Sequence, residues 1–463
     1  RIGTVKPYYL RFLRQIPDIP TLASADPDRL PKLWEGLGNK YVMVFSGYSG
    51  PDYGLGSTNS ALRYAYGDSP LGPWRSGGVL VDSRGVVPNE DGTHLTTSNA
   101  AHNTHGSLQE INGQWYVFYH RPPRGFANAR QAMVAPVKIE WDKKPVAEGG
   151  KVRIVAYDPY SKNNEWTAKA SDGMEYTGAE VTSEGFQIFG LPPYQYYSAG
   201  IAAYMTGNQW LQDNHDVWNN HMDLAGITNR GIIGFNYFGF EGLDKWQKGV
   251  NAFAGCKKGD GTTLNLNLTP GGKGAFRIHV MIDGPYANTT WNGKEIGVLD
   301  VPADAPQRPT MFRLPVPAVE GLKGKHAIYL VVEGPAVEQP QNDRPRWGGP
   351  QPQRNQRPQG LFDMHGIGFS KAGETLKAPV VPTVTIAVDG KPLNIPASPL
   401  FATNDNGYTE TTHYQVYGPL KNGSVITATS SDPSVTFEIG QISDGRAAVK
   451  ATYNGKSKIF LIN

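Results

Sequence analysis

The sequence predicts an all-β protein: a propeller-like portion, then a jelly-roll β-sandwich, then a small C-terminal immunoglobulin-like β-sandwich. Three observations carry this. The stretch Asn103 to Arg121 reads as two strands joined at Asn112-Gly113, with Trp115, Val117 and Tyr119 alternating against Tyr116, Phe118 and His120, and a polar His105-Gly106-Ser107 opening the first strand. A unit of the same grammar precedes it, in which Tyr41-Val42-Met43-Val44-Phe45-Ser46 is followed by Ala61 to Trp74. Consecutive units of this kind read like successive sheets of a propeller. Finally, 55 Gly and 36 Pro in 463 residues imply many turns between short strands, and no amphipathic helix interrupts the alternation up to about Pro159.

In chain order, residues 1–160 form the propeller-like portion and 176–371 the first sandwich. Within the sandwich, Gly231 to Phe240 and His326 to Val332 read as strands, and the module closes near Phe369. Residues 339–360 are saturated with Pro, Gln, Arg and Asn and hold one large aromatic, Trp347. Such a composition cannot offset the entropy of ordering by apolar burial, so a mobile, dispensable insertion is expected between the last two strands, with those strands paired across it. Residues 379–463 carry short β runs at Val384 to Val388 and Ala447 to Tyr453 with Asp389-Gly390 and Asn454-Gly455 turns, which suits a small immunoglobulin-like sandwich.

Composition narrows the function classes. Lys+Arg 44 against Asp+Glu 41 gives a formal net charge of +3, which offers no broad electrostatic footprint for nucleic acid. No apolar run approaches the length of a membrane span. The single cysteine, Cys256, excludes an internal disulfide. Aromatic residues make up 11% of the chain, and flat rings suit stacking on sugar faces, although β-sheet cores account for most of them. The chain opens at Arg1 without an initiator Met or a charged-then-apolar signal, the pattern of a processed or truncated end.

The segment Tyr64-Ala65-Tyr66-Gly67-Asp68-Ser69-Pro70-Leu71-Gly72-Pro73-Trp74, followed by Asn103-Thr104-His105-Gly106-Ser107 and Asn112 to Arg121, closely resembles glycoside hydrolase family 43, whose propellers have five blades. Val181-Thr182-Ser183-Glu184-Gly185 looks like a segment that follows the propeller in that family. Phe235 to Phe240, Gly324 to Leu330 and Phe362 to Phe369 resemble, through their order, a family 6 carbohydrate-binding module. The resemblance spans roughly residues 30 to 370 and supplies only the later blades. It therefore leaves three readings: a segment upstream of Arg1, a second chain that completes the propeller, or a degenerate relative.

Hydrolysis of a glycosidic bond needs one protonated carboxyl to assist the leaving oxygen and one ionised carboxyl to activate water. The family resemblance implies an Asp base on the first blade, upstream of the matched segment, a second Asp, and a Glu acid on a middle blade, with inversion. Ungapped alignment puts Leu30 at the acid position, so Glu35 and Asp28 stand as displaced acid candidates beside Asp26. His105 matches the family's axial histidine, which holds a metal directly or through water, and is a substrate-binding and metal candidate. Arg130 falls where the family's arginine contacts the sugar, and a guanidinium there offers fixed donors. His102, His120 and Arg121 are read as structural. Trp291, in Thr290-Trp291-Asn292-Gly293, is a candidate sugar platform that a turn would project, with packing across a hairpin the competing reading. Asp363 sits where related modules place a ligand to sugar or calcium, although Met364 and His365 depart from their pattern.

The expected function is an exported, periplasmic or extracellular glycoside hydrolase cleaving arabinofuranosidic or xylosidic bonds of plant polysaccharide by inversion. The partner is a polysaccharide or oligosaccharide. No cofactor is needed for the chemistry, and a structural calcium is a candidate. The alternative is a non-catalytic carbohydrate-binding or assembly protein with a degenerate propeller; galactan is a further substrate alternative.

Overall fold

The computed structural model describes residues 40–49, 55–56, 58–97, 104–111, 113–121, 131–156, 166–169, 175–178, 190–207, 209–213, 218, 221–240, 255–337, 360–396, 401–402 and 411–463. Asp26, Asp28, Glu35, His102, Arg130, the Val181 to Gly185 segment and positions 339–359 of the predicted insertion lie outside the described residues.

Two antiparallel sheets make up the first part. One orders β1 (Tyr41–Ser49), β2 (Thr58–Gly67) and β3 (Arg75–Asp82). After the short hairpin of β4 (Val86–Pro88) and β5 (Leu95–Thr97), the other orders β6 (Gly106–Ile111), β7 (Gln114–Arg121), β8 (Gln131–Trp141) and β9 (Val152–Ala156). A further hairpin pairs β10 (Trp166–Lys169) with β11 (Glu175–Gly178). The two-residue side-chain period of a strand puts Leu62, Tyr64 and Tyr66 of β2 on one face and Met133, Ala135, Val137 and Ile139 of β8 on the face opposite, and these sets merge in one core. Tyr64 crosses between the sheets, its hydroxyl accepting the Ile154 N–H at 3.2 Å. The β6–β7 hairpin turns at Gly113 with φ 86°, where the sequence predicts it.

The sandwich holds two antiparallel sheets. One contains β12 (Tyr197–Ser198), β14 (Trp210–Asp213), β15 (Met222–Ile227), β17 (Thr263–Pro270), β20 (Thr310–Pro315) and β22 (Phe362–Ser370). The other orders β13 (Tyr204–Met205), β16 (Ile232–Gly239), β21 (Lys325–Glu333), β18 (Phe276–Ile282) and β19 (Lys294–Val301). Leu264, Leu266 and Leu268 of β17 face Ile278, Val280, Ile328 and Leu330 across the core. The strands on either side of residues 338–359, β21 and β22, stand in opposite sheets, which corrects the expectation that they pair. Each finds its hydrogen bonds elsewhere, β21 with β16 and β18 and β22 with β15 and β17.

β16 is buried at every position, Asn236 included, so the strand is covered on both faces. Ile233 and Phe235 enter the sandwich core. A register irregularity between Phe235 and Phe238 then resets the alternation, so that Phe238 also points inward while Ile232 and Tyr237 join an aromatic cluster on the outer face. That cluster holds Tyr204, Tyr329 and Trp291, and Val87 of β4 closes it from the first part of the chain.

The C-terminal module packs one sheet, β24 (Lys391–Pro392), β23 (Val384–Val388) and β27 (Ile426–Ser430), against another containing β25 (Phe401–Ala402), β26 (Thr411–Val416), β30 (Lys456–Ile462), β29 (Ala447–Tyr453) and β28 (Thr436–Ile439). β26 and β30 run parallel. Its core includes Trp218, supplied from between β14 and β15, whose Nε1 donates to Pro382 O at 2.9 Å and whose ring lies 5.5 Å from that of Tyr453. Trp218→Ala should lower the stability of this module by about 3–5 kcal/mol. Chemical unfolding followed by hydrogen exchange would detect this, with unchanged exchange in β23, β29 and β30 contradicting it.

Candidate functional site

His105 lies just ahead of β6 and is exposed. Its backbone N–H donates to His120 Nε2 at 3.2 Å, and its Nδ1 stands 3.1 Å from the same atom. A nitrogen that accepts a backbone N–H must present a lone pair. The backbone N–H and Nδ1 of His105 thus converge on one ring nitrogen of His120. The pair is held from behind: Thr104 Oγ1 donates to His120 O at 2.6 Å, and Ser46 Oγ of β1 donates to Thr104 O at 2.6 Å. His120, read from the sequence as a packing residue, is thus the direct partner of the site histidine.

Gly106 permits this approach. A Cβ there would stand 2.1 Å from Phe118 O and 2.7 Å from Leu62 Cδ1. Only a bare α-carbon lets β6 lie this close to both β7 and the first sheet.

Because β6, β7 and β8 are antiparallel, the start of β6, the end of β7 and the start of β8 share one end of the sheet. Gln131, the first residue of β8, pairs there with Arg121. Arg130 precedes Gln131 in sequence, so the two predicted contributors, His105 and Arg130, come immediately before strands that begin at the same end. Arg121 is buried, 1% exposed, with Nε donating to Gln131 Oε1 at 3.1 Å and Nη2 to Ala202 O at 2.9 Å.

Trp291 corrects a sequence expectation. It is 3% exposed and offers no open face to a sugar. Its loop folds back through hydrogen bonds from Trp291 N to Asn288 Oδ1, from Asn292 N to Asn288 O and from Gly293 N to Tyr286 O. The turn at Asn292, φ 52°, is the predicted one, but it tucks the indole against Tyr204 and Tyr329, with Nε1 donating to Asn89 O at 3.3 Å.

Asp363 Oδ1 accepts the Gly226 N–H at 3.0 Å. Nearby, His365 bridges Asp223 Oδ2 at 3.0 Å and Thr269 Oγ1 at 2.7 Å. Burial pushes the Asp363 carboxyl above the usual carboxylate range and Asp223 adds to this, while the Gly226 N–H and His365 oppose it. A carboxyl held toward its neutral form is a poor cation ligand. Among the described residues no group of three or more His, Cys, Asp or Glu side chains could hold a metal ion, so the calcium expectation rests on the resemblance alone. Cys256 is buried, and burial pushes its thiol up to about 11, which leaves it a packing residue at neutral pH.

Two outcomes follow. Gly106→Ala should force β6 off β7 and cost about 1–3 kcal/mol, visible as a lower melting temperature; an unchanged value would contradict the close approach. Asp363 holds its proton more tightly in the folded than in the unfolded chain. Its contribution is thus full below the unfolded pKa and is lost as pH rises through the folded one. The melting temperature of Asp363→Asn relative to the parent should therefore rise as pH increases above the usual carboxylate range, and a pH-independent difference would refute the assignment.

No family model matches the chain. It aligns with a xylosidase/arabinosidase of Thermoclostridium stercorarium, 24% identical over 290 residues, covering 59% of this chain and 48% of that protein, so the chain spans about half the length of the curated relative it matches. Among solved structures it is similar to a family 43 arabinoxylan arabinofuranohydrolase from Bacillus subtilis in complex with cellotetraose, with a TM-score of 0.31, 16% identity, and coverage of 72% of this chain and 52% of that one. It is also similar to a CBM6 module from Clostridium stercorarium in complex with cellobiose, with a TM-score of 0.24, 13% identity, and coverage of 39% of this chain and 95% of that one. The chain is similar to a xylosidase/arabinosidase, to a family 43 glycoside hydrolase and to a family 6 carbohydrate-binding module, the combination its own hairpin and sandwich motifs resemble.

Proposed function

We propose that the chain acts in an exported glycoside hydrolase that cleaves arabinofuranosidic or xylosidic bonds of plant polysaccharide with inversion. The observation that carries this reading is the alignment over 290 residues with a xylosidase/arabinosidase. Inversion requires acid and base carboxyls about 6.5–9.5 Å apart, leaving room for a water on the face of the sugar opposite the leaving group. Glu35 and Asp28 are the acid candidates, and the base corresponds to the Asp that the family resemblance sets upstream of the matched segment. His105 receives a sugar hydroxyl at Nε2, and Arg130 supplies donors to the same sugar and depresses a neighbouring carboxyl pKa. No cofactor enters this chemistry, and calcium is a structural ion in the proposal. A polysaccharide is too large to enter a cell intact, so a periplasmic or extracellular location belongs to the same proposal.

Release of reducing sugar from arabinan, arabinoxylan and galactan tests it. Hydrolysis of an arabinose- or xylose-containing polymer is expected, with His105→Ala lowering kcat/KM roughly tenfold at unchanged melting temperature, as loss of one sugar hydrogen bond implies. Turnover of galactan alone would keep the reaction class and change the sugar. Binding without turnover would establish instead the non-catalytic carbohydrate-binding alternative.

A further inference from the structure

We infer that Arg121 is a positioning residue through which the sandwich sets the geometry of the His105–His120 pair, so that the sandwich is a working part of the candidate sugar site. The inference rests on the proposed reading of that pair as sugar-binding. Its basis is a continuous path of short contacts. The 3-10 turn at Ala199–Ile201 of the sandwich is capped by Ser198, whose Oγ accepts the Gly200 N–H and donates to Met222 O at 2.6 Å. This fixes two backbone carbonyls facing the first part of the chain. Ala202 O receives Arg121 Nη2 at 2.9 Å, and Gly200 O receives Gln131 Nε2 at 3.3 Å. Gln131 Oε1 in turn receives Arg121 Nε at 3.1 Å, which closes a ring of four residues across the seam. Ala203, the next residue of the sandwich segment, is buried in the core of the first part.

Arg121 follows His120 directly on β7. A strand end whose guanidinium is anchored cannot rotate or slide, and so the His120 ring is held where it accepts the His105 N–H and meets His105 Nδ1. The fork geometry is essential: two N–H groups of one planar guanidinium reach Gln131 and Ala202 together, whereas an ammonium on a flexible stem satisfies them poorly. Removing the fork would also leave the buried Ala202 carbonyl and the half-buried Gln131 amide oxygen without these donors, which drives local rearrangement at the strand end.

The experiment uses the full chain labelled with 15N and compares the parent with Arg121→Lys and Gln131→Met. The first readout is the imidazole 15N pattern of His105 and His120, which reports their tautomers and contact without any substrate. Both variants are expected to shift the His105 ring signals while the β16 amides stay protected, and to lower kcat/KM on the order of 10- to 100-fold, as sub-ångström misplacement of a binding group does. Unchanged His105 ring signals in a folded Gln131→Met or Arg121→Lys chain would overturn the positioning role. Should the parent hydrolyse none of the polymers, the enzymatic reading fails, and the ring signals still decide the positioning claim.

Discussion

The five-stranded sheet of the sandwich has two apolar faces, and a sheet of that kind is stable only when both are covered. The inner face meets the other sheet through Phe235, Phe238, Ile278 and Ile328. The outer face presents Tyr204, Tyr237 and Tyr329, and its cover comes from Trp291 on the sandwich's own loop and from Val87 on the β4–β5 hairpin of the first part. Fully burying an aromatic side chain is worth about 1.5–3 kcal/mol or more, so this cluster outweighs any single surface ion pair in setting how the two parts meet. Polar contacts give the seam direction: Asn288 Nδ2 donates to Glu90 O at 2.6 Å and Trp291 Nε1 to Asn89 O, so the hairpin loop and the sandwich loop lock in one register.

That seam reaches the candidate site. On its far side the sandwich offers the carbonyls of Gly200 and Ala202, and the strand ends of β7 and β8 take them through Arg121 and Gln131. On β7 His120 stands one residue before Arg121, and Thr104, just ahead of β6, and Ser46 of the first sheet brace its pairing with His105. Packing thus sets the position of the sheet end, and hydrogen bonds set the orientation of the rings. Function on this account depends on the sandwich being fixed rather than tethered.

Much of the fold was legible because strand periodicity and turn chemistry are local. The β6–β7 hairpin, the buried β16, and the Asp389-Gly390 and Asn454-Gly455 turns with positive φ all stand where alternation and turn residues predicted them. What was not legible is what covers what. The Gly231 to Phe240 run reads as a strand, yet no local pattern told that both its faces are buried or that Val87 would cover one of them. Trp291 looked like a projected ring because its Asn-Gly turn is visible in sequence, while the Asn288 bonds that turn it inward depend on tertiary placement. β21 and β22 looked like paired neighbours for the same reason. At the site, His105 could be named from its motif, but its partner His120 and the role of Arg121 required knowing which strand ends meet. The one signal that pointed to them was their adjacency on the alternating strand that closes the hairpin.

A seam that holds the site in this way requires the first part of the chain and the sandwich to open and close as one unit. Native-state hydrogen exchange on the intact chain, followed as a function of denaturant, measures this directly. The slowest amides of β7 and β8 and those of β16 and β21 should converge on one opening free energy as denaturant is raised. Separate limits, with β7 and β8 opening at a lower free energy while β16 remains protected, would contradict it.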